Sequence, residues 1–200
     1  ALLQLRAKAE ARGRRWTQSL KKGQWIMVLT MHRREHFDGG LLRVTQALLQ
    51  LLARQPLAHL VFPRHPNPHV RAATHALEQH PQVSVCEPLD YLSFIALLSV
   101  SCLILSDSGG VQEEAPSLGV PVVVLRDQTE RPELLQTGLA RLSGTDPKRI
   151  VRDAEQLIQK SKISWQEAGQ WRSHYQKLIN PFGDGQASAR IYQVLKDGLS

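Results

Sequence analysis

Ser108-Gly109-Gly110 follows the apolar run Cys102–Leu105 closely and opens the stretch Val111-Gln112-Glu113-Glu114. A strand that turns through glycines into a helix leaves the first helical N–H groups without acceptors and aims the positive helix end outward, an arrangement that binds anions such as phosphate. The glycines allow close approach of the backbone, and Ser108 adds a hydroxyl without steric cost. The same residues also make an ordinary tight turn, and the short motif alone leaves both readings open. Glu114 lies one helical turn after Gly110, where a carboxylate can accept from both hydroxyls of a ribose or merely favour the helix dipole.

Arg126 and Arg131 flank a polar loop after the next apolar run. Forked guanidinium donors suit a diphosphate, although pairing with Asp127, Glu130 or Glu133 would equally account for them. His32 and Arg33 follow the first apolar run and can present an imidazole and a guanidinium to a sugar diphosphate, with proton transfer open to His32. His65, after the second run, is placed in the same way, and either histidine can equally serve as a structural hydrogen-bonder. The remaining histidines, including His69, His75, His80 and His174, show no Cys/His spacing of a zinc site, so neither a metal nor any other cofactor is expected.

These residues need a scaffold that gathers several loops at one edge. From Trp25 onward, short apolar runs alternate with stretches of helical period, the pattern of a parallel sheet with crossover helices. Strands are expected near Trp25–Thr30, His59–Phe62, Val83–Cys86, Cys102–Leu105 and Val122–Leu125, with a weaker one at Ala140–Leu142. Asn67-Pro68 and Asp146-Pro147 are helix starts, and Pro116 followed by Gly119 limits the helix that begins at the glycines. Ser164 with Glu167 reads as a capping box for a helix to about Tyr175, and Asn180-Pro181-Phe182-Gly183 precedes a last helix near Ala187–Lys196. The expected fold is α/β, a Rossmann-like doubly wound parallel sheet whose ligand sits beyond the carboxyl ends of the strands.

Two hundred residues, 42% hydrophobic and 22% charged, suit one α/β domain and no second. Charged or polar residues interrupt every apolar stretch before it reaches the roughly 18–20 residues of a membrane helix, so no membrane partner is expected. Cys86 and Cys102 lie in apolar runs as free thiols, which fits a cytoplasmic location. The net charge of +7 is densest at Arg12, Arg14, Arg15, Lys21 and Lys22, ahead of the first strand, and reads as a solvated helix or linker face and not a nucleic-acid surface.

Four strings, TMHRREHFDGG, PRHPNPHV, SDSGGVQEEAPSLGVPVVVLRDQTERPE and NPFGDGQASARI, occur in this order. Together they resemble the C-terminal domain of bacterial, non-hydrolysing UDP-N-acetylglucosamine 2-epimerases, and the resemblance covers nearly all of residues 24 to 197. It implies the C-terminal half of a two-domain fold like that of glycosyltransferase-B enzymes, with the active site in the cleft between the halves. Residues 1–23 would be a linker or the end of the preceding domain, 24–179 the UDP-binding domain and 180–200 a crossover helix. Ser108, Gly109 and Gly110 would hold the diphosphate, Glu114 the ribose and Arg131 the phosphates. His32, as a catalytic group, would stand with Arg33 and His65 where sugar and diphosphate meet.

The implied chemistry is reversible inversion at carbon 2 of the sugar, by elimination and re-addition of UDP. That would make UDP-N-acetylglucosamine or UDP the ligand. Its carboxylates for proton transfer would belong to an N-terminal half that this sequence does not contain, a necessary partner, and a homodimer is a further expected assembly. His36 and Arg64 depart from the pattern usual in the family. Rival readings are a UDP-sugar glycosyltransferase half, a hydrolysing epimerase and a non-catalytic UDP-binding module.

Overall fold

A computed structural model describes residues 2–165 and 180–198 of the chain. Six strands form one parallel sheet: β1 (Trp25–Thr30), β2 (Ala58–Pro63), β3 (Val83–Cys86), β4 (Ser101–Ser106), β5 (Val122–Val124) and β6 (Ala140–Leu142). Each of the six expected strands is present, the outer limits shifting by a residue. The order across the sheet is β3-β2-β1-β4-β5-β6, so the chain winds outward from β1 to β3, then crosses back to lay β4 against β1.

The strands read as continuous apolar runs because both faces are covered. Met27 and Leu29 of β1 point to one side with Leu60, Phe62, Leu103 and Leu105, and that side packs on α2 (Gly40–Arg54) and α8 (Pro147–Trp165). Ile26 and Val28 alternate to the other side with Val61 and Ile104, beneath α5 (Tyr91–Val100), α6 (Gly109–Leu118) and α1 (Leu2–Thr17). The short helices α3 (Pro68–Ala73), α4 (His75–Glu78) and α7 (Pro132–Gln136) fill the remaining connections, and α9 (Ala187–Gly198) lies exposed at the end.

The start signals at Asn67 and Asp146 operate as caps: Asn67 accepts from His69 N at 2.8 Å and Asp146 from Arg149 N at 2.8 Å. The start expected at Ser164 is not one. Ser164 lies inside α8, which began at Pro147, and the rest of that expected helix falls outside the described residues. α6 ends as expected, with Gly119 in the left-handed region at φ 67°.

The basic α1 packs its small residues, Ala9 and Gly13, onto α5, while Arg12 and Arg15 stay exposed. A Cβ on Gly13 would lie 2.7 Å from Val100 Cγ1 and 3.0 Å from the Ala96 carbonyl oxygen. Gly13→Val therefore forces the helices apart and is expected to cost about 1–3 kcal/mol in urea unfolding. An unchanged midpoint would show that α1 does not stabilise the sheet. Cys86 and Cys102, half-buried and buried respectively, are not joined in a disulfide. Among the described residues no helix is long and apolar enough to cross a membrane.

Candidate functional site

The reversal between β1 and β4 opens a crevice at their carboxyl ends, where neighbouring strands lead into loops that diverge to opposite faces. Thr30 pairs with Ser106 across this point, and their hydroxyls meet at 3.2 Å. The loop with His32 and Arg33 thus lies directly beside Asp107-Ser108-Gly109-Gly110.

Ser108 is the N-cap of α6, its hydroxyl accepting from Val111 N at 3.5 Å. Gly109 and Gly110 are the first helical residues, so their N–H groups have no intrahelical acceptor. The Arg131 guanidinium lies over this helix end, 3.6 Å from where a Gly109 Cβ would stand. Two carboxylates hold it there: Glu113 Oε1 accepts from Nε at 2.8 Å and Nη2 at 2.6 Å, and Glu130 lies 3.5 Å from Nη1.

Arg126 does not share that role. It is buried, and Glu35 takes its Nε at 3.2 Å while Glu130 takes Nη1 and Nη2 at 2.6 and 3.0 Å. All three guanidinium nitrogens are engaged by carboxylates, so Arg126 acts as a tie between loops. Its forked grip holds the Glu130 carboxyl down to about 2.

Glu114 is half-buried one turn into α6. Burial pushes its carboxyl above the usual range, the charge of Glu113 adds to this, and a hydrogen bond from the Tyr91 hydroxyl works against it. The Tyr91 phenol is itself pushed up to about 12 by burial and by the Glu114 charge, so it remains a donor at neutral pH.

On the other side of the crevice, His32 and His65 stack with ring centroids 6.4 Å apart. They form one end of a cavity of about 180 Å³ whose walls include Met31, Pro88, Leu89 and Phe94. His65 Nδ1 accepts from Asn67 N at 3.2 Å, which orients its ring. The structure thus brings His32, Arg33, His65, Ser108, Gly109, Gly110 and Arg131 to the loops at this edge, with Glu114 one turn further along α6.

Sequence reasoning missed Asp107. This carboxylate is fully buried and accepts from His32 N at 3.0 Å and Arg33 N at 2.9 Å, and His32 Nδ1 lies 3.2 Å from it. The signal was an acidic residue between a buried strand and the glycine turn. Tyr91, Leu89 and Phe94 were missed as well, because nothing local ties them to α6 or β1.

The family model for UDP-N-acetylglucosamine 2-epimerase matches residues 1–196. The chain belongs to the UDP-N-acetylglucosamine 2-epimerase family. Among curated relatives in this family, the Salmonella typhimurium UDP-N-acetylglucosamine 2-epimerase is 43% identical over 178 residues, 88% of this chain and 45% of the relative. The Escherichia coli K12 epimerase is 42% identical over 86% of this chain and 44% of its own length. The chain therefore spans about half the length of the curated relatives it matches. The crystal structure of the Neisseria meningitidis epimerase, bound to UDP-GlcNAc, is 34% identical, with a TM-score of 0.78 over 98% of this chain and 52% of that one.

Proposed function

We propose that this chain is the UDP-binding half of a UDP-N-acetylglucosamine 2-epimerase, which interconverts UDP-N-acetylglucosamine and UDP-N-acetylmannosamine by eliminating and re-adding UDP. The observation that carries the reading is the Arg131 guanidinium poised over the free N–H groups of Gly109 and Gly110, capped by Ser108. The diphosphate sits on that helix end, where oriented N–H groups and a cation stabilise the charge that develops as UDP departs. Glu114 takes the ribose hydroxyls. The Leu89 and Phe94 side of the neighbouring cavity offers a flat uracil ring apolar walls, since Tyr91 links the start of the same helix α5 to Glu114. His32, Arg33 and His65 face the junction of sugar and diphosphate, with His32 as the group that exchanges a proton.

In this proposal residues 24–179 form the nucleotide half, 180–200 cross back toward a partner half and 1–23 enter from it. The carboxylates that move the carbon 2 proton belong to that partner half, and the complete enzyme is cytoplasmic and assembles as a homodimer. Combining the chain with an N-terminal half from the family tests the activity. UDP-N-acetylmannosamine formed from UDP-N-acetylglucosamine without an acceptor supports epimerisation. Transfer only to an acceptor would reassign the chain to a glycosyltransferase, and free N-acetylmannosamine with UDP to a hydrolysing enzyme.

Tyr91→Phe removes the hydroxyl that bonds the Glu114 carboxyl and opposes the upward push of burial on it. At neutral pH the UDP affinity of the chain is expected to fall about 2- to 10-fold, the worth of one such hydrogen bond. An affinity equal to that of the parent chain would exclude the Tyr91–Glu114 pair from the ribose site.

A further inference from the structure

We infer that Asp107 is a positioning residue for His32, fixing the imidazole with the proton on Nδ1 and Nε2 turned to the crevice. The inference rests on the proposed reading of that crevice as the place where the diphosphate departs. The geometry comes from the β1–β4 junction. Asp107 is fully buried immediately after β4, and its own N–H reaches the Thr30 carbonyl at 3.4 Å. A buried carboxylate is costly unless its oxygens are satisfied, and three donors converge on this one. Oδ2 accepts from the backbone N–H groups of His32 and Arg33, while Oδ1 lies 3.2 Å from His32 Nδ1.

An ionised carboxylate only accepts, so the ring nitrogen facing it carries a proton. His32 Nε2 is then a lone-pair acceptor when the ring is neutral and a donor when it is charged. When charged, His32 can hand its Nε2 proton to the departing phosphate, and when neutral it can take that same proton back as UDP re-adds. The two backbone bonds set the height of the loop, and the ring bond sets its rotation.

The surrounding charges favour this arrangement. The Asp107 bond raises the pKa of His32, burial and the charge of Arg33 oppose it, and the direction that prevails is upward. Burial would push the Asp107 carboxyl up, but bonds from the His32 ring and the Arg33 and His32 amides outweigh it and hold the carboxyl below the usual range. Also facing this group are the His65 ring beside His32 and, behind Asp107, the buried His36, whose Nε2 is 3.9 Å from Asp107 and 3.8 Å from Glu35. His36 Nε2 finds no hydrogen-bond partner among the described residues. Among the described residues, His32 is thus the one ring within hydrogen-bonding distance of Asp107.

Nitrogen NMR of the histidine rings in the ligand-free chain tests the inference. The neutral form of His32 is expected as the Nδ1–H tautomer, with a titration midpoint above that of an ordinary exposed histidine. Asp107→Asn preserves the shape and can still accept from the backbone. It is expected to lower the midpoint and move the ring toward the Nε2–H form that an unconstrained histidine side chain prefers. A wild-type ring in the Nε2–H form overturns the inference whether or not the variant folds, and so does a variant whose tautomer and midpoint are unchanged.

UDP titration supplies a second readout. Asp107→Asn should weaken binding severalfold in the parent chain and have no further effect in a His32→Gln background. An equal loss in both backgrounds would mean that Asp107 only holds the fold, overturning the positioning role. Failure of the parent chain to bind UDP would sink the functional reading, while the ring tautomer would still decide the role of Asp107.

Discussion

Replacing Arg131 by alanine lowers the affinity of the chain for UDP by about 10- to 100-fold, as expected for one charge-assisted contact worth about 1.5–3 kcal/mol. The guanidinium lies over the N-terminus of α6 and is held at the correct height by Glu113 and Glu130. The oriented N–H groups of Gly109 and Gly110 remain in the variant, so some binding persists. Arg131→Lys should recover only a small part, because an ammonium cannot span two phosphate oxygens as the planar fork does. Stability should change little, since the pairs that Arg131 makes are partly exposed and such pairs contribute at most about 1 kcal/mol. Calorimetric titration of both variants, alongside urea unfolding, separates the two effects. A loss of less than about twofold with Arg131→Ala, well under the 1.4 kcal/mol that a tenfold change represents, would place the diphosphate elsewhere.

Phe62→Ala is expected to destabilise the chain by about 3–5 kcal/mol. Phe62 is fully buried in β2 and belongs to the core cluster shared with α2 and α8, so truncation leaves a cavity that rigid parallel strands cannot close. It also precedes the loop that carries His65 by three residues, so the same change should loosen one side of the crevice. Leu42→Ala serves as the control. Leu42 is 54% exposed on α2, and its loss should stay within about 0.5 kcal/mol. Urea midpoints for the two variants check this, and near-equal values would contradict the assignment of the core.

The strands were legible because a parallel sheet covered on both faces writes itself as short apolar runs, nearly unbroken in β1, β4 and β5 and interrupted by His59 in β2, Ser84 in β3 and Arg141 in β6. The Ser108-Gly109-Gly110 turn was legible for the same local reason: strand, glycines and helix lie within one short stretch. What could not be read depends on contacts across the sheet. Asp107 meets His32 over a separation of 75 residues, and Arg126 meets Glu35 over 91. Only the strand order, which lays β4 against β1, makes those pairs neighbours.

Arg126 shows the limit clearly. Its partner Glu130, four residues on, could be named from the sequence, whereas Glu35 could not, and it is the pair of them that engages the whole Arg126 guanidinium. α1 illustrates another limit. Its closest approach to α5 is made by Ala9 and Gly13, small residues between Leu2 and Trp16 that stand out little in a basic segment. At Ser164 the local cap chemistry was sound, but the helix from Pro147 had already passed through it.

The central claim is that this chain holds a preformed site for UDP, and calorimetric titration of the folded chain with UDP, with ADP in parallel, tests it most directly. Saturable binding of UDP, with ADP clearly weaker, is the result the proposal predicts, with the helix end taking the diphosphate and the Leu89 and Phe94 walls favouring the smaller base. Equal binding of both would reduce the site to a diphosphate cradle. Binding of neither, in a chain whose unfolding curve shows a cooperative fold, would contradict the account.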